Sequence, residues 1–225
     1  MCGRVNITDN EGVRLLMELV GMSSWPSIQE RYNVAPSAIL DGLVWNDGLE
    51  HATLQWGLIP AWAKPGQFSS PLINARSETV WEKPSFRNLI KNQRVCVPVT
   101  GFYEWHRSRG AKQPHYIRPA NDESMFLAGI YQRTKTGDSQ SRNDLSLLTV
   151  EANESMAAVH HRMPVIIPPH AVSAWLSTDE PTDRELLDSL MQPAANDYLS
   201  FQKVSDYVNN ARNEGPECVA SAELF

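Results

Sequence analysis

The sequence predicts an α+β fold over residues 1–225, a single domain with a mostly antiparallel, barrel-like β core and peripheral helices. Three observations predict it. Short runs rich in Val, Ile, Leu, Trp and Tyr recur along the chain, bounded by clusters of Pro, Gly, Asn or Asp. Helical periodicity is confined to a few separated segments. Regular βαβ alternation is absent, and no Pro/Gly/Ser-rich linker divides two cores.

Taken in order, Thr8-Asp9-Asn10-Glu11 reads as a capping box. It precedes an apolar stripe of Val13, Leu16, Met17 and Val20, and Gly21 stands where a helix C-cap belongs. Strands are predicted over 38–45, 52–59, 94–106, 114–118, 125–132, 145–151 and 164–168. Helices are predicted over about 83–92, 170–176 and 182–192, with a last strand near 199–205.

Composition narrows the function classes. A hydrophobic fraction of 42% and seven Trp supply a sizeable core, which excludes a disordered chain. No apolar run approaches a membrane span, and the N-terminus lacks a secretory h-region. Three scattered cysteines, Cys2, Cys96 and Cys218, form no disulfide framework and point to a reducing cytoplasm. The net charge of −6 argues against wholesale nucleic-acid binding, yet residues 51–118 hold ten Lys/Arg against three Asp/Glu. A local basic face on an acidic protein is therefore available. Phosphate-loop, dinucleotide, serine-hydrolase and zinc-protease motifs are absent, and Glu104 with His106 on one strand face is at most a faint metal signal. No metal or cofactor is expected, and nothing suggests more than a monomer.

Position 2 is the most unusual feature. Removal of Met1 would leave Cys2 with a free α-amine beside its own thiol. Their ordinary pKa values, ~7.7–8.0 and ~8.5, make both nucleophiles partly available near neutral pH. Such a 1,2-aminothiol condenses with an aldehyde to an imine, and the thiol then closes on the same carbon to give a thiazolidine. Glu104 is flanked by Phe102, Tyr103 and Trp105, surroundings in which a carboxyl can serve as an acid near neutral pH. Asn74 and His160 also stand among apolar neighbours. Taken singly, Glu104 and His160 are equally structural residues, and Cys2 alone reads first as an ordinary small residue.

Several blocks together resemble one family. They are Met1-Cys2-Gly3-Arg4, Arg31 to Pro36, Trp56 to Trp62, Asn74 to Thr79, Gly101 to Trp105, His160 to Pro164, and Val208-Asn209-Asn210. In this order they resemble the SRAP family, named for "SOS-response-associated peptidase", and they span nearly the whole chain. The resemblance implies a sensor of abasic sites in single-stranded DNA, whose ring-opened sugar offers an aldehyde at C1′. It implies a thiazolidine crosslink through Cys2, with Asn74 positioning the amine or sugar. Glu104 would be general acid/base, and His160 would assist imine formation and reversal. Lyase activity by β-elimination and self-processing at Met1 are compatible with it. Arg4, Arg76 and Arg162 would contact the DNA backbone, Asn33 and Pro36 would form the pocket rim, and Trp62 would stack on a base. The chain departs from the family at Val99-Thr100, Ala63 and His161, the last often Asp. Two other readings of the same residues stay open: an N-terminal-Cys thiol peptidase, and a non-covalent reader of single strands or modified bases.

Overall fold

The computed structural model describes residues 2–8, 10–22, 25–26, 29–64, 66–108, 110–135, 141–178 and 182–222. Met1 and Asp9 of the predicted capping box lie outside the described residues. In chain order the elements begin with β1 (Val5–Ile7), α1 (Asn10–Leu19), β2 (Arg31–Val34), β3 (Ile39–Trp45), β4 (Leu49–Trp56) and β5 (Asn74–Arg76). There follow α2 (Leu89–Asn92), β6 (Arg94–Val99), β7 (Gly101–Ser108), β8 (Ala111–Pro119), β9 (Met125–Lys135) and β10 (Ser141–Glu151). Last come α3 (Glu154–Ala157), β11 (Arg162–Pro164), β12 (Ile166–Ile167), α4 (Val172–Leu176), α5 (Arg184–Leu190) and β13 (Leu199–Lys203).

The predicted α+β class with a barrel-like core is what the structure contains. Strands β4, β3, β6 and β9 pair in series, and β10 pairs with both ends of it, parallel to β4 and antiparallel to β9. Five strands therefore close on themselves and leave no edge among them. A second sheet, wholly antiparallel, runs β13-β8-β7-β1-β2. Every residue of β6 is buried, because one face lines the barrel and the other is covered. Trp175 of α4 supplies part of that cover and donates its indole N–H to Val95 O at 3.2 Å. Burying one such large side chain contributes about 1.5–3 kcal/mol.

Helix α1 forms as its stripe predicts, with Val13, Leu16 and Met17 buried. Gly21, at φ +79°, ends it: Met22 N–H bonds Met17 O at 2.9 Å and Gly21 N–H bonds Glu18 O at 3.0 Å. That pair of bonds is a Schellman cap.

Four expectations need correction. The predicted strand 94–106 is two strands, β6 and β7, belonging to the two different sheets. The chain crosses at Thr100, and Gly101 permits the crossing, since a Cβ there would lie 2.5 Å from the Tyr116 ring and 2.7 Å from Ile117 O. The predicted helix 83–92 contracts to α2 behind a series of turns, where Pro84 cannot continue a helical bond. Strand 52–59 ends at Trp56, and 164–168 divides into β11 and β12 around Val165. The short strands β1, β2 and β5 were not predicted, because three or four residues carry too little periodicity.

Candidate active site

Strand β10 extends beyond the barrel and exchanges partners as it leaves. Residues 144–145 pair with β4, and 147–149 pair with β5, both parallel. On its other edge, 141–147 pair with β9 and 149–151 with β11, both antiparallel. Asn74 and Arg76 of β5 and the 160–164 segment are thereby held on either side of one strand. Glu104 arrives from the second sheet on β7. Strand β1 runs antiparallel to β7, with Val5 abreast of Phe102, and Tyr103 N–H continues the pairing to Arg4 O at 2.9 Å. That register carries Cys2 back along β7 towards Glu104. Asn6 fixes it, donating to Tyr103 OH at 3.1 Å and to Tyr32 O at 3.2 Å.

The four residues predicted as catalytic come together. Asn74 Nδ2 donates to Cys2 O at 2.8 Å. Asn74 Oδ1 is buried and has no hydrogen-bond partner among the described residues. Cys2 is 1% exposed and Glu104 4% exposed. Burial pushes the Cys2 thiol up to about 12, and the nearby Glu104 carboxylate pushes it the same way. The thiol is therefore protonated at neutral pH. His160 Nδ1 lies 3.9 Å from Glu104 Oε1. The backbone delivers His160 accurately: Asn153 caps α3 by accepting Met156 N–H at 2.8 Å, and His160 N–H closes the next turn on Met156 O at 2.9 Å. Arg162 N–H donates to His160 Nδ1 at 3.0 Å. Partial burial lowers the His160 pKa and neighbouring His161 adds to that, while Glu104 opposes both.

Above this group lies an open cleft of about 750 Å³, lined by Glu104 and His160 with exposed cations Arg76, Arg107 and Lys112. All three cations come from the basic central third of the sequence. Half-buried Trp105 forms part of its wall, with Lys112 Nζ 4.6 Å from the indole centroid and the indole N–H donated to Asn209 Oδ1 at 2.6 Å. Among the described residues, no group of three or more His, Cys, Asp or Glu converges as a metal site. No helix among them is long and apolar enough to cross a membrane.

The residues predicted to meet DNA divide into two sets. Arg76 is exposed on the cleft, and Trp62 is 52% exposed beside Phe68, their ring centroids 5.9 Å apart. Pro36 is half-buried before Ser37, whose N–H bonds Trp56 O at 2.7 Å. Arg4, Asn33 and Arg162 are buried and engaged inward. Arg4 donates to Asn33 Oδ1 at 2.5 Å and to Val208 O at 2.9 Å. Asn33 Nδ2 holds the 208–213 segment through Asn210 O at 3.0 Å and Asn213 O at 2.9 Å. Arg162 makes a two-pronged ion pair with Glu78, at 2.6 and 2.9 Å, and donates to Thr149 O at 2.6 Å. Arg107, Lys112 and Glu78 were not singled out in the sequence. The basic central segment and the hairpin after Trp105 were the available signals for the first two; Glu78 stands inside a quoted block, with nothing there to pair it with Arg162.

The chain is similar to the abasic site processing protein YoqW of Bacillus subtilis, at 37% identity over 84% of this chain and 85% of the relative. It is also similar to the chicken abasic site processing protein HMCES, at 34% identity over 76% of this chain and 57% of that protein. A solved Bacteroides thetaiotaomicron protein shares the fold at TM-score 0.82, with 24% identity over 98% of this chain and all of that one. A Bordetella bronchiseptica structure does so at 0.76, with 23% identity over 91% of this chain and all of that one. The family described as "SOS response associated peptidase (SRAP)" matches residues 1–211. With its barrel, its cleft and its N-terminal cysteine in place, this chain belongs to the SRAP family.

Proposed function

We propose that the chain captures abasic sites in single-stranded DNA by forming a thiazolidine through Cys2. The observation that carries the reading is the convergence of Cys2, Asn74, Glu104 and His160, the last two of which line a cleft with three exposed cations. The printed names of the relatives point to the same lesion.

Met1 is first removed by hydrolysis, freeing the Cys2 α-amine. That amine donates to Asn74 Oδ1, the acceptor left over at this site, while Asn74 Nδ2 keeps its bond to Cys2 O. Glu104 helps the sugar open to its C1′ aldehyde by moving the proton between the ring oxygen and the anomeric hydroxyl. The amine attacks C1′ and water leaves, giving an imine. The Cys2 Sγ then adds to the same carbon as its proton passes to nitrogen, closing the five-membered ring. The protonated thiol suits this order, in which the amine acts first. It counts against a thiolate-first peptidase, which needs a thiol pKa lowered rather than raised. His160 relays protons in both directions and so assists reversal; an imine that lingers permits β-elimination.

Arg76, Arg107 and Lys112 hold the phosphates beside the lesion, and Trp62 stacks on a neighbouring base. Arg4, Asn33 and Arg162 act from behind, Pro36 shapes the rim, and these residues fix the N-terminal strand and the His160 segment against the pull of the strand. A single strand suits the cleft because no duplex must be opened to expose the sugar.

The test is a denaturing gel of purified protein with a single-stranded oligonucleotide carrying one abasic site. A heat-stable shifted band is expected for the native sequence and not for Cys2→Ala or Cys2→Ser. Cys2→Ala, which keeps an α-amine, is expected to give only an adduct trapped by borohydride. A heat-stable adduct retained by Cys2→Ala would sink the reading.

A further inference from the structure

The imidazoles of His160 and His161 are stacked, with ring centroids 4.4 Å apart and planes inclined by 32°. Adjacent residues in a regular strand point to opposite faces, but these two precede β11, in the turn after α3 where both side chains face the cleft. His161 is exposed at the cleft, while His160 sits deeper against Glu104. One face of the inner ring is therefore covered by the outer one.

We propose that His161 is a positioning residue for the crosslinking reaction: stacked on His160, it holds that ring against Glu104 and disfavours a second positive charge beside it. The inference rests on the reading of the cleft given above. Two stacked imidazoles cannot both carry a charge without repulsion. A charge on His161 opposes protonation of His160. The other charged groups around His160 include Glu104 on β7, which favours its protonation, and Arg76 on β5, a cation lining the same cleft. Arg107, Lys112 and His106 line the same cleft from the β7–β8 hairpin. His161 is the one among them in ring contact with His160. The consequence is a proton relay that stays neutral, and so able to accept a proton, into mildly acidic solution.

Two measurements test this on the full chain. The first follows the His160 ring by NMR as pH is lowered, in the native protein, His161→Asn and His161→Asp. Loss of the neighbouring charge is expected to raise the His160 midpoint by about half a unit in His161→Asn, and by more in His161→Asp, where a carboxylate favours the imidazolium. The second is the crosslinking rate against pH on abasic single strands. The acid limb is expected to move up with the midpoint, a roughly threefold loss at about pH 5.5 with no change at about pH 8. Protonation of the amine depresses all three proteins alike at low pH and leaves their ratio intact. An unmoved His160 midpoint in both variants would overturn the proposal. So would a rate that drops equally at every pH, the mark of a merely structural contact. If no variant crosslinks, including the native chain, the abasic-site reading falls, and the NMR titration alone still decides whether His161 governs His160.

Discussion

Asn74 Nδ2 donates to the backbone carbonyl of Cys2 at 2.8 Å, tying a residue of β5 to the chain's second residue across 72 positions of sequence. The terminus of a chain is ordinarily its least ordered part. Here Cys2 is buried and anchored at its carbonyl, which gives its backbone and thiol a fixed place relative to Glu104. In the proposed reaction, a nucleophile held this way would lose little freedom on reaching its transition state.

Replacing Asn74 with Ala should therefore slow crosslinking far more than it weakens the fold. The lost hydrogen bond and the freed terminus together correspond to roughly 10–100-fold in single-turnover rate. The half-buried side chain leaves only a small stability cost, to be checked by urea unfolding of the same preparation. An unchanged rate would remove Asn74 from the mechanism.

The Cys2 thiol should alkylate slowly. Burial first, and the Glu104 carboxylate second, hold its pKa at about 12 in the chain that keeps Met1. Its reaction with iodoacetamide should then rise about tenfold per pH unit through pH 8–10 without a plateau, since only the thiolate reacts. Glu104→Gln removes a carboxylate that raises the pKa, so at fixed pH alkylation should speed up. The same substitution should slow crosslinking by about 10²–10⁴, the range of a lost general acid/base. Opposite signs for one substitution separate thiol availability from proton transfer.

Glu78→Gln should destabilise the protein by about 1–2 kcal/mol at neutral pH, less than a fully buried pair because Glu78 is half exposed while Arg162 is buried. Burial alone would raise the Glu78 pKa, but its hydrogen bonds from Arg162 and the backbone bring it below the ordinary carboxylate value. A depressed carboxylate stabilises the folded state above its unfolded pKa and loses that contribution as pH falls through the folded one. The difference between native protein and variant, read from urea unfolding, should thus shrink in acid. A difference that held constant down to about pH 3 would mean the ion pair is not its source.

Charge reversal at Arg76 or Lys112 should weaken binding to intact single strands and reduce the salt dependence by about one counterion per site. Trp62→Ala should cost about 1–3 kcal/mol of affinity if the exposed indole stacks on a base. Trp62 is not among the residues lining the cleft around Glu104 and His160, so for Trp62→Ala the intramolecular chemistry at saturating DNA should survive.

The identity of the family was legible because its residues recur in blocks of fixed order, which does not require knowing the fold. What the order of blocks could not convey was the approach of Cys2 to Glu104, because that depends on a three-residue strand, β1, whose register on β7 is set by Asn6 and Tyr103. The crossing at Thr100 was hidden for a related reason. Residues 94–99 and 101–104 are all buried, so the run reads as continuous although it serves two sheets. Arg76 and Arg162 look alike in sequence as basic residues near apolar ones. Only the partner, Glu78, separates the buried ion pair from the exposed cation.

The central claim is that one residue supplies both nucleophiles. It is tested most directly by the intact mass of the protein–DNA adduct, followed by digestion to the crosslinked peptide. The account predicts the mass of the chain lacking Met1 plus the oligonucleotide minus one water, with the added mass on a peptide that begins at Cys2. An adduct formed with Met1 still attached, or located on any other residue, would contradict it.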